Sequence, residues 1–295
     1  MTGDPFVLSD ELLQATTRLR DAGIESPATD ARLLIAAAAG LSREEMLCDP
    51  DLKLSPNQKT RVEKMIRRRA DREPVSRILG RREFHSLSFE VTPVTLDPRP
   101  DSEVIVEAAI DYARGMGGKP TLLDIGTGTG CLLLSALEAL PDATGTGTDI
   151  NPEAIAVARR NAASLGCVSR LQFQTGDWLS GIEGRFDIVL SNPPYIPSGD
   201  IADLAPEVSR HDPRTALDGG LDGLDAYRIL ADRIPKILAP SGIALMEIGA
   251  GQADDVTGLF SAAGWQPLES RADLAGHNRC LAFALKSAPK WITAR

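Results

Sequence analysis

The fold is decided by one stretch of the sequence, Leu122-Leu123-Asp124-Ile125-Gly126-Thr127-Gly128-Thr129-Gly130, which is followed by Cys131-Leu132-Leu133-Leu134. The apolar residues at its start predict a buried strand, the alternating glycines predict a tight turn, and the apolar residues after them predict a helix. Glycine suits such a turn because the turn often needs a positive φ, and because a ligand can then approach backbone that a Cβ would block. The stretch therefore predicts a strand-turn-helix unit that binds a nucleotide-like ligand.

The residues around this turn favour a cationic adenosine ligand such as S-adenosylmethionine. The dinucleotide fingerprint needs a glycine where this chain has Cys131. A carboxylate at Asp124 would repel a pyrophosphate, but it would attract the amino-acid end of S-adenosylmethionine. Asp149 ends the next predicted strand, where a carboxylate can accept both hydroxyls of a ribose. Asp177 and Trp178 follow the third strand, in the right place to hydrogen-bond and stack an adenine.

Beyond residue 100 the sequence predicts an α/β fold with a mostly parallel sheet. Strand-like apolar runs alternate with helix-like spacing, which is the pattern of a sheet covered by helices on both faces. We predict seven strands, at Thr121–Ile125, Thr144–Asp149, Leu171–Thr175, Phe186–Leu190, Ile243–Ile248, Trp265–Arg271 and Arg279–Leu285. The last two have no helix signal between them, so we expect them to form an antiparallel pair at one edge.

A smaller domain is predicted in front of this sheet. From residue 9 to about residue 70 the apolar residues recur at three- and four-residue spacing, and Ser55-Pro56 is a typical helix start, so the segment predicts a small helical bundle. Between Pro74 and Pro98 apolar residues alternate loosely with polar ones, which predicts a β-hairpin linker. We therefore expect a helical domain at 1–73, a linker at 74–98 and the α/β domain at 99–295.

Composition narrows the class of protein. The chain has 295 residues and a formal net charge of −9, which argues against a general binder of nucleic acid or membranes because affinity for phosphate comes mainly from clustered Lys and Arg. The four cysteines are far apart and form no C-x-x-C pair, so neither a zinc site nor a disulfide framework is predicted. No signal-like or membrane-spanning run is evident. We expect a soluble, cytoplasmic protein without a metal.

Asn192-Pro193-Pro194-Tyr195 follows the fourth predicted strand and indicates the chemistry. Each proline locks φ at about −65° and has no N–H, so a buried strand that ends in this way holds the Asn amide and the Tyr ring in place. A planar nitrogen fits between them, because the Asn oxygen and a proline carbonyl can accept its hydrogens while the ring covers its face. The motif predicts methyl transfer to nitrogen, and by itself it leaves an amide and an adenine equally open.

The sequence resembles the HemK/PrmC family, the protein-(glutamine-N5) methyltransferases that modify peptide-chain release factors. The resemblance covers nearly the whole chain. It is carried by Gly80-Arg81-Arg82-Glu83-Phe84, Pro98-Arg99-Pro100-Asp101-Ser102-Glu103, Asp124 to Gly130, Asn192 to Tyr195, Asp218-Gly219-Gly220-Leu221-Asp222-Gly223-Leu224, Glu247-Ile248-Gly249 and Gly276-His277-Asn278-Arg279. Where the family usually reads Pro-Arg-Pro-Glu-Thr-Glu, this chain has Asp101 and Ser102, which are conservative changes.

The resemblance implies a helical N-terminal domain that helps to recognise the release factor, and a Rossmann-like seven-stranded S-adenosylmethionine-dependent methyltransferase domain. It implies that the glutamine of a Gly-Gly-Gln loop is held by the catalytic residues Asn192, Pro193, Pro194 and Tyr195. The cofactor-binding residues are then Asp124, Gly126, Thr127, Gly128, Thr129, Gly130, Asp149, Asp177, Trp178 and Asn192.

The same resemblance fixes the expected cofactor and partners. S-adenosyl-L-methionine is used, S-adenosyl-L-homocysteine is the product, and release factors of class 1 are the protein substrate. We expect a monomer that forms no stable complex with nucleic acid and no contact with a membrane. The alternative is an adenine-N6 nucleic-acid methyltransferase, because such enzymes share the Asn-Pro-Pro-Tyr motif.

Several residues are given no catalytic role. Glu247 ends a predicted strand, where a site role and a structural role are equally open. His211-Asp212-Pro213-Arg214 is expected to close a loop over the active site, and isolated histidines give no reason to expect a metal. A solvated helix face is the preferred interpretation of the basic cluster Arg61, Lys64, Arg67, Arg68, Arg69, Arg72, Arg77, Arg81 and Arg82, and docking to an acidic protein surface or to ribosomal RNA is the alternative.

Overall fold

The computed structural model describes residues 6–286. Its α-helices are α1 (Leu8–Asp21), α2 (Pro27–Ala39), α3 (Arg43–Cys48), α4 (Pro56–Ala70), α5 (Val75–Leu79), α6 (Glu103–Met116), α7 (Cys131–Ala139), α8 (Pro152–Ser164), α9 (Pro206–Ser209), α10 (Asp225–Arg233) and α11 (Ala253–Ala262). Its strands are β1 (Phe6–Val7), β2 (Lys53–Leu54), β3 (Arg81–Phe84), β4 (Leu87–Glu90), β5 (Thr121–Ile125), β6 (Thr144–Asp149), β7 (Leu171–Thr175), β8 (Phe186–Ser191), β9 (Leu238–Glu247), β10 (Trp265–Ala272) and β11 (Asn278–Leu285). The chain divides into two compact units, one of residues 6–81 with 205–211 and one of residues 82–204 with 212–286.

The first unit is a small helical bundle, which confirms the helical N-terminal region. Its core is formed by apolar residues of α1, α2 and α4, among them Leu19, Leu34 and Ile66. The helix α4 begins where the sequence predicts, because Ser55 and Gln58 form a capping box and Pro56 occupies the first turn.

The basic cluster of this unit divides between surface and interior. Arg69 is 7% exposed and donates hydrogen bonds to Asp30 Oδ2 at 2.7 Å and to Glu207 Oε1 at 3.0 Å. Arg72 donates to the other oxygen of Glu207 at 2.9 Å. A solvated face is therefore the wrong interpretation for Arg69, because buried charges need partners of this kind. Arg61, Lys64 and Arg67 are exposed.

The predicted linker at 74–98 contains two different structures. Val75–Leu79 forms the helix α5, which ends at Gly80 with a φ of 70°, and Ile78 packs into the core of the first unit. The hairpin is shorter than the predicted linker and consists of β3 and β4, joined by His85 and Ser86 at φ values of 49° and 61°. Two successive positive φ values are typical of a tight two-residue hairpin turn. The two units divide within β3, between Arg81 and Arg82, which lie inside the segment 74–98 predicted as the linker.

The second unit contains the predicted seven-stranded sheet, in the order β10-β11-β9-β8-β5-β6-β7. Neighbouring strands from β9 to β7 are parallel, and β11 is antiparallel to both β9 and β10. The mostly parallel sheet and its antiparallel edge are therefore confirmed. The strand β9 starts earlier than predicted, because Leu238 pairs with Phe186 before a register shift leads to the pair Ile243 and Ile188.

Helices cover both faces of this sheet, as the near-continuous apolar strands require. Alternate residues of a strand enter opposite cores, so Leu122 packs with α6 and α7 on one face while Leu123 packs with α10 and α11 on the other. In the second core Phe260 stacks on Phe283 with ring centroids 4.2 Å apart, and Trp265 lies beside it. Among residues 6–286, no helix is long and apolar enough to span a membrane.

This packing generates a stability prediction. Phe260→Ala removes a ring that is 0% exposed, so we expect the free energy of unfolding to fall by about 3–5 kcal/mol. Leu274→Ala is the control, because Leu274 is exposed and its loss should change stability by less than about 0.5 kcal/mol. Urea denaturation followed by tryptophan fluorescence measures both, and equal losses in the two variants would contradict this account of the core.

Candidate active site

The glycine-rich turn after β5 has the backbone conformation that the sequence predicts. Gly126, Gly128 and Gly130 have φ values of 75°, 55° and 82°, which side chains with a Cβ rarely adopt. The amides of Gly126 and Thr127 both donate to the carbonyl of Thr148, at 2.9 and 2.8 Å, and this ties the turn to the end of β6. A Cβ at Gly126 or Gly128 would meet no protein atom within 4 Å. The turn therefore presents bare backbone to open space.

That space is a cavity of about 530 Å³ at the carboxyl ends of the parallel strands, where open α/β sheets bind ligands. It lies within the second unit and has a size that is typical of small-molecule sites. Predicted site residues that line it are Gly126, Thr127, Gly128, Thr129, Asp149, Asp177, Trp178, Asn192, Pro193 and Pro194. Asp124, Gly130 and Tyr195 lie outside this lining set.

Asp149 is fixed by two backbone amides. Its Oδ2 accepts from Gly128 and its Oδ1 accepts from Asn151, each at 2.9 Å. Burial raises the pKa of Asp149, and these hydrogen bonds oppose the rise. Each carboxylate oxygen can accept a further hydrogen bond, so the group can still receive hydroxyls from the cavity.

Trp178 is held in an unusual backbone conformation. Its φ is 54°, which is uncommon for a bulky residue, and its carbonyl accepts from Thr148 Oγ1 at 3.3 Å. The ring lies partly against the second core and partly in the cavity lining, while Asp177 is exposed beside it. An aromatic face at the end of β7 is therefore available to a flat ligand.

Asp124 is buried next to the glycine-rich turn. It is 1% exposed, and its Oδ2 accepts from Thr127 Oγ1 at 2.6 Å. Its Oδ1 has no hydrogen-bond partner within the described part of the chain. Burial raises the pKa of Asp124 to about 7, which marks a carboxyl group that a nearby cation would stabilise in its ionised form.

The Asn-Pro-Pro-Tyr segment starts at the end of β8, next to the turn. Ser191 Oγ donates to the carbonyl of Ile125 at 2.9 Å, which joins the ends of β8 and β5. Asn192 then enters the cavity lining, and its Nδ2 donates to Ser102 Oγ at 3.3 Å. The two prolines follow in the lining, whereas Tyr195 packs beside the second core.

Three glycines pack closely against the Asn-Pro-Pro-Tyr segment. A Cβ at Gly219 would lie 2.8 Å from the carbonyl oxygen of Pro194, and one at Gly223 would overlap the carbonyl of Tyr195. A Cβ at Gly249 would lie 3.0 Å from Tyr195 Cδ2. Gly219 and Gly223 of the Asp218 to Leu224 block are thus required by the close approach of two backbones.

Gln252 is a positioning residue that the sequence did not suggest. Its Nε2 donates to the carbonyl of Tyr195 at 3.0 Å, and its Oε1 accepts from the amide of Gly249 at 2.9 Å. The Glu247-Ile248-Gly249 motif lies close to it in sequence, but a glutamine three residues beyond a motif carries no pattern of its own. Its role follows only from the contact across the fold.

The loop before the Asp218 block also reaches the cavity. Asp212 is 7% exposed and accepts from Arg99 Nη2 at 2.6 Å, and Pro213 and Arg214 follow in the lining. His211 groups with the first unit and not with the cavity. Among residues 6–286, no three His, Cys, Asp or Glu side chains form a potential metal site.

Comparisons with known proteins agree with this geometry. A family model described as "Methyltransferase small domain" matches residues 110–209, and one described as "PrmC N-terminal domain" matches residues 11–80. The hMettl16 catalytic domain, solved with a MAT2A 3′UTR hairpin, has a similar fold, with a TM-score of 0.55, 15% identity, and coverage of 77% of this chain and 81% of that one. Fold and site define a Rossmann-like methyltransferase.

The sequence relatives give the particular family. The release factor glutamine methyltransferase of Rhodospirillum rubrum is 49% identical over 283 residues, which cover 96% of this chain and 86% of the relative. That of Caulobacter vibrioides is 45% identical, with coverage of 90% and 92%. The chain belongs to the release factor glutamine methyltransferase family, which confirms the resemblance seen in the sequence.

The packing behind the site generates a prediction about the glycines. Gly219→Ala should displace the Pro194 carbonyl, and we expect kcat for methyl transfer to fall about a hundredfold, because misplacement by about 1 Å can have that effect. Gly199→Ala is the matched control, since a Cβ there meets nothing within 4 Å and we expect a change below about twofold. Transfer of a labelled methyl group measures both. Similar rates for the two variants would contradict the packing argument.

Proposed function

We propose that this chain transfers a methyl group from S-adenosylmethionine to the side-chain amide nitrogen of the glutamine in the Gly-Gly-Gln motif of class-1 peptide-chain release factors. The observation that carries the proposal is the position of Asn192, Pro193 and Pro194, which line the same cavity as the glycine turn. Membership of the release factor glutamine methyltransferase family supports a protein glutamine as the acceptor.

The residues of the cavity fit S-adenosylmethionine, which supplies a methyl group on a positively charged sulfur and leaves as S-adenosylhomocysteine. The bare backbone of Gly126 and Gly128 allows a close approach, and Asp149 would accept the ribose hydroxyls. Asp177 and Trp178 would hold the adenine. The unpartnered Oδ1 of Asp124 suits the cationic end of the molecule, although the carboxyl group lies behind the lining.

An amide nitrogen is a weak nucleophile because its lone pair is delocalised into the carbonyl. The enzyme must therefore gain mainly by orientation, which is worth up to about 7–11 kcal/mol in favourable cases. Asn192 Oδ1 and the carbonyl of Pro193 would accept the two amide hydrogens and aim the nitrogen at the methyl group. These contacts would strengthen as positive charge develops on the nitrogen, so they would favour the transition state over the ground state.

Tyr195 is proposed to cover the amide plane and exclude water. Its side chain is largely buried beside Gly249, and burial raises the pKa of its hydroxyl to about 12, so the ring stays neutral and does not act as a base. Because Tyr195 is not among the residues that line the cavity, this role stays a prediction.

Adenine-N6 methylation of nucleic acid is the disfavoured alternative. An enzyme of that kind needs positive charge along the path of the phosphates, whereas this chain has a net charge of −9. The curated relatives are named for release factor glutamine, not for adenine.

The proposal also covers the release factor as binding partner, the oligomeric state and the cellular compartment. The first unit would serve as the region that recognises the release factor, and the exposed Arg61, Lys64 and Arg67 of α4 offer positive charge for that contact. We propose a monomer that holds no stable nucleic acid and acts in the cytoplasm, where release factors work.

One labelling experiment tests the proposed function. The chain is incubated with methyl-labelled S-adenosylmethionine and a purified class-1 release factor, in parallel with the same factor carrying Gln→Ala in its Gly-Gly-Gln motif. We expect one labelled methyl group per factor and none on the variant. Undiminished labelling of the variant would show that another residue is the acceptor.

Two substitutions should separate the chemistry from cofactor binding. Asn192→Ala should abolish transfer while the Kd for S-adenosylmethionine changes less than about threefold. Asp149→Ala should raise that Kd about 10- to 100-fold, since it removes a charged acceptor of hydrogen bonds. Calorimetry gives the Kd and labelling gives the rate. The assignment of the two residues would be refuted if Asn192→Ala weakened binding more than Asp149→Ala.

A further inference from the structure

Glu247 is a buried carboxyl group next to the Asn-Pro-Pro-Tyr segment. It is the last residue of β9 and is 2% exposed. Its backbone is fixed by the hydroxyl of Tyr227, which donates to the Glu247 carbonyl at 2.7 Å, and by pairing with Cys280 in β11. Its Oε2 has no hydrogen-bond partner within the described part of the chain. The backbone at Glu247 is therefore held in a fixed place, and one of its carboxyl oxygens is not used by the fold.

The polar neighbours of this carboxyl group belong to the active site. Ser191 lies opposite Met246 in the parallel pair of β8 and β9, so Asn192 and Glu247 follow side by side at the ends of the two strands. Burial raises the pKa of Glu247 to about 7. Ser102 and Asn192 both line the cavity, whereas Glu247 lies behind it. Arg279 favours the ionised form of Glu247 by its charge, and Asp101 opposes it. The carboxylate is thus within reach of the residue proposed to hold the substrate amide.

This arrangement decides which end of the Asn192 amide faces the cavity. In its ionised form, which the charge of Arg279 favours, the Glu247 carboxylate only accepts hydrogen bonds, so the NH₂ group of Asn192 is then the end that faces Glu247. The same Nδ2 donates to Ser102 Oγ, in agreement with that orientation. The oxygen of the amide is then turned away from both neighbours and is free to accept from a ligand. If the amide were reversed, it would present hydrogens to a substrate nitrogen that also carries hydrogens.

We propose that Glu247 is a positioning residue that fixes the Asn192 amide with its NH₂ toward Glu247 and Ser102 and its oxygen toward the nitrogen to be methylated. The inference rests on the proposed function, because it assumes an acceptor nitrogen with N–H groups at Asn192. Glu247 itself does not touch the substrate. It acts by excluding the reversed amide, which cannot accept a hydrogen bond from the substrate.

Single substitutions give the first test. Glu247→Ala should lower kcat about 10- to 100-fold, which is the size expected for losing a hydrogen bond to a charged group, with the Kd for S-adenosylmethionine changed less than about threefold. Glu247→Gln keeps an oxygen that can accept from Asn192, so its kcat should lie between those of Glu247→Ala and the wild type. Thermal denaturation shows whether the variants are folded.

A double substitution that exchanges the hydrogen-bond donor of residue 192 with the acceptor of residue 247 gives a second test. If Glu247 had only a structural role, the double variant would not recover activity. Asn192→Asp alone sets two carboxyl groups against each other, and we expect less than about 1% of wild-type kcat. Adding Glu247→Gln supplies an NH₂ that donates to the introduced aspartate and leaves its second oxygen for the substrate. The double variant should then be at least about tenfold faster than Asn192→Asp.

The outcomes are distinguishable. Wild-type kcat in Glu247→Ala, or a double variant no faster than Asn192→Asp while the wild type labels the release factor, would overturn the positioning role and leave the proposed function intact. A wild-type chain that labels no release factor would overturn the proposed function and this inference with it.

Discussion

The parallel pairing of β5 with β8 is the constraint on which the rest of the site depends. Ile125 lies opposite Ser191, so the glycine turn after one strand and Asn192 after the other begin at the same level of the sheet. Since β5 also pairs with β6, Asp149 reaches that level from the other side. Three short polar segments meet because parallel strands end at a common edge. No flexible loop has to bring them together.

Much of this could be predicted from the sequence, because the signals are local. Apolar runs of strand length give all seven strands, and glycines that need positive φ give the turn. Side-chain contacts across the fold could not be predicted. Arg69 looks like a surface residue until Glu207, 138 positions away, supplies its partner. Val75–Leu79 looks like part of a hairpin until its apolar side is buried in the first unit.

The residues of the candidate site also separate into those that could be predicted from the sequence and those that could not. Residues that line the cavity were predictable where they belong to a motif at a strand end, as Asp149 and Trp178 do. Gln252 was not predictable, because it acts on backbone that is distant in sequence, whereas for Glu247 the sequence left a site role and a structural role equally open. Tyr195 shows the limit of motif reasoning: the prolines fix its backbone, but packing against the second core places its ring.

Two buried carboxyl groups, Asp124 and Glu247, stand behind the cavity, each at a strand end and each with an unpartnered oxygen. Burial raises the pKa of each to about 7. The folded state therefore binds more protons than the unfolded state between the ordinary carboxyl pKa, about 4, and about 7, and each group lowers stability as the pH rises through that window. A cation in the cavity would favour the ionised forms and offset this loss. The fold thus places unfavourable negative charge beside a cavity in which a bound cation would compensate it.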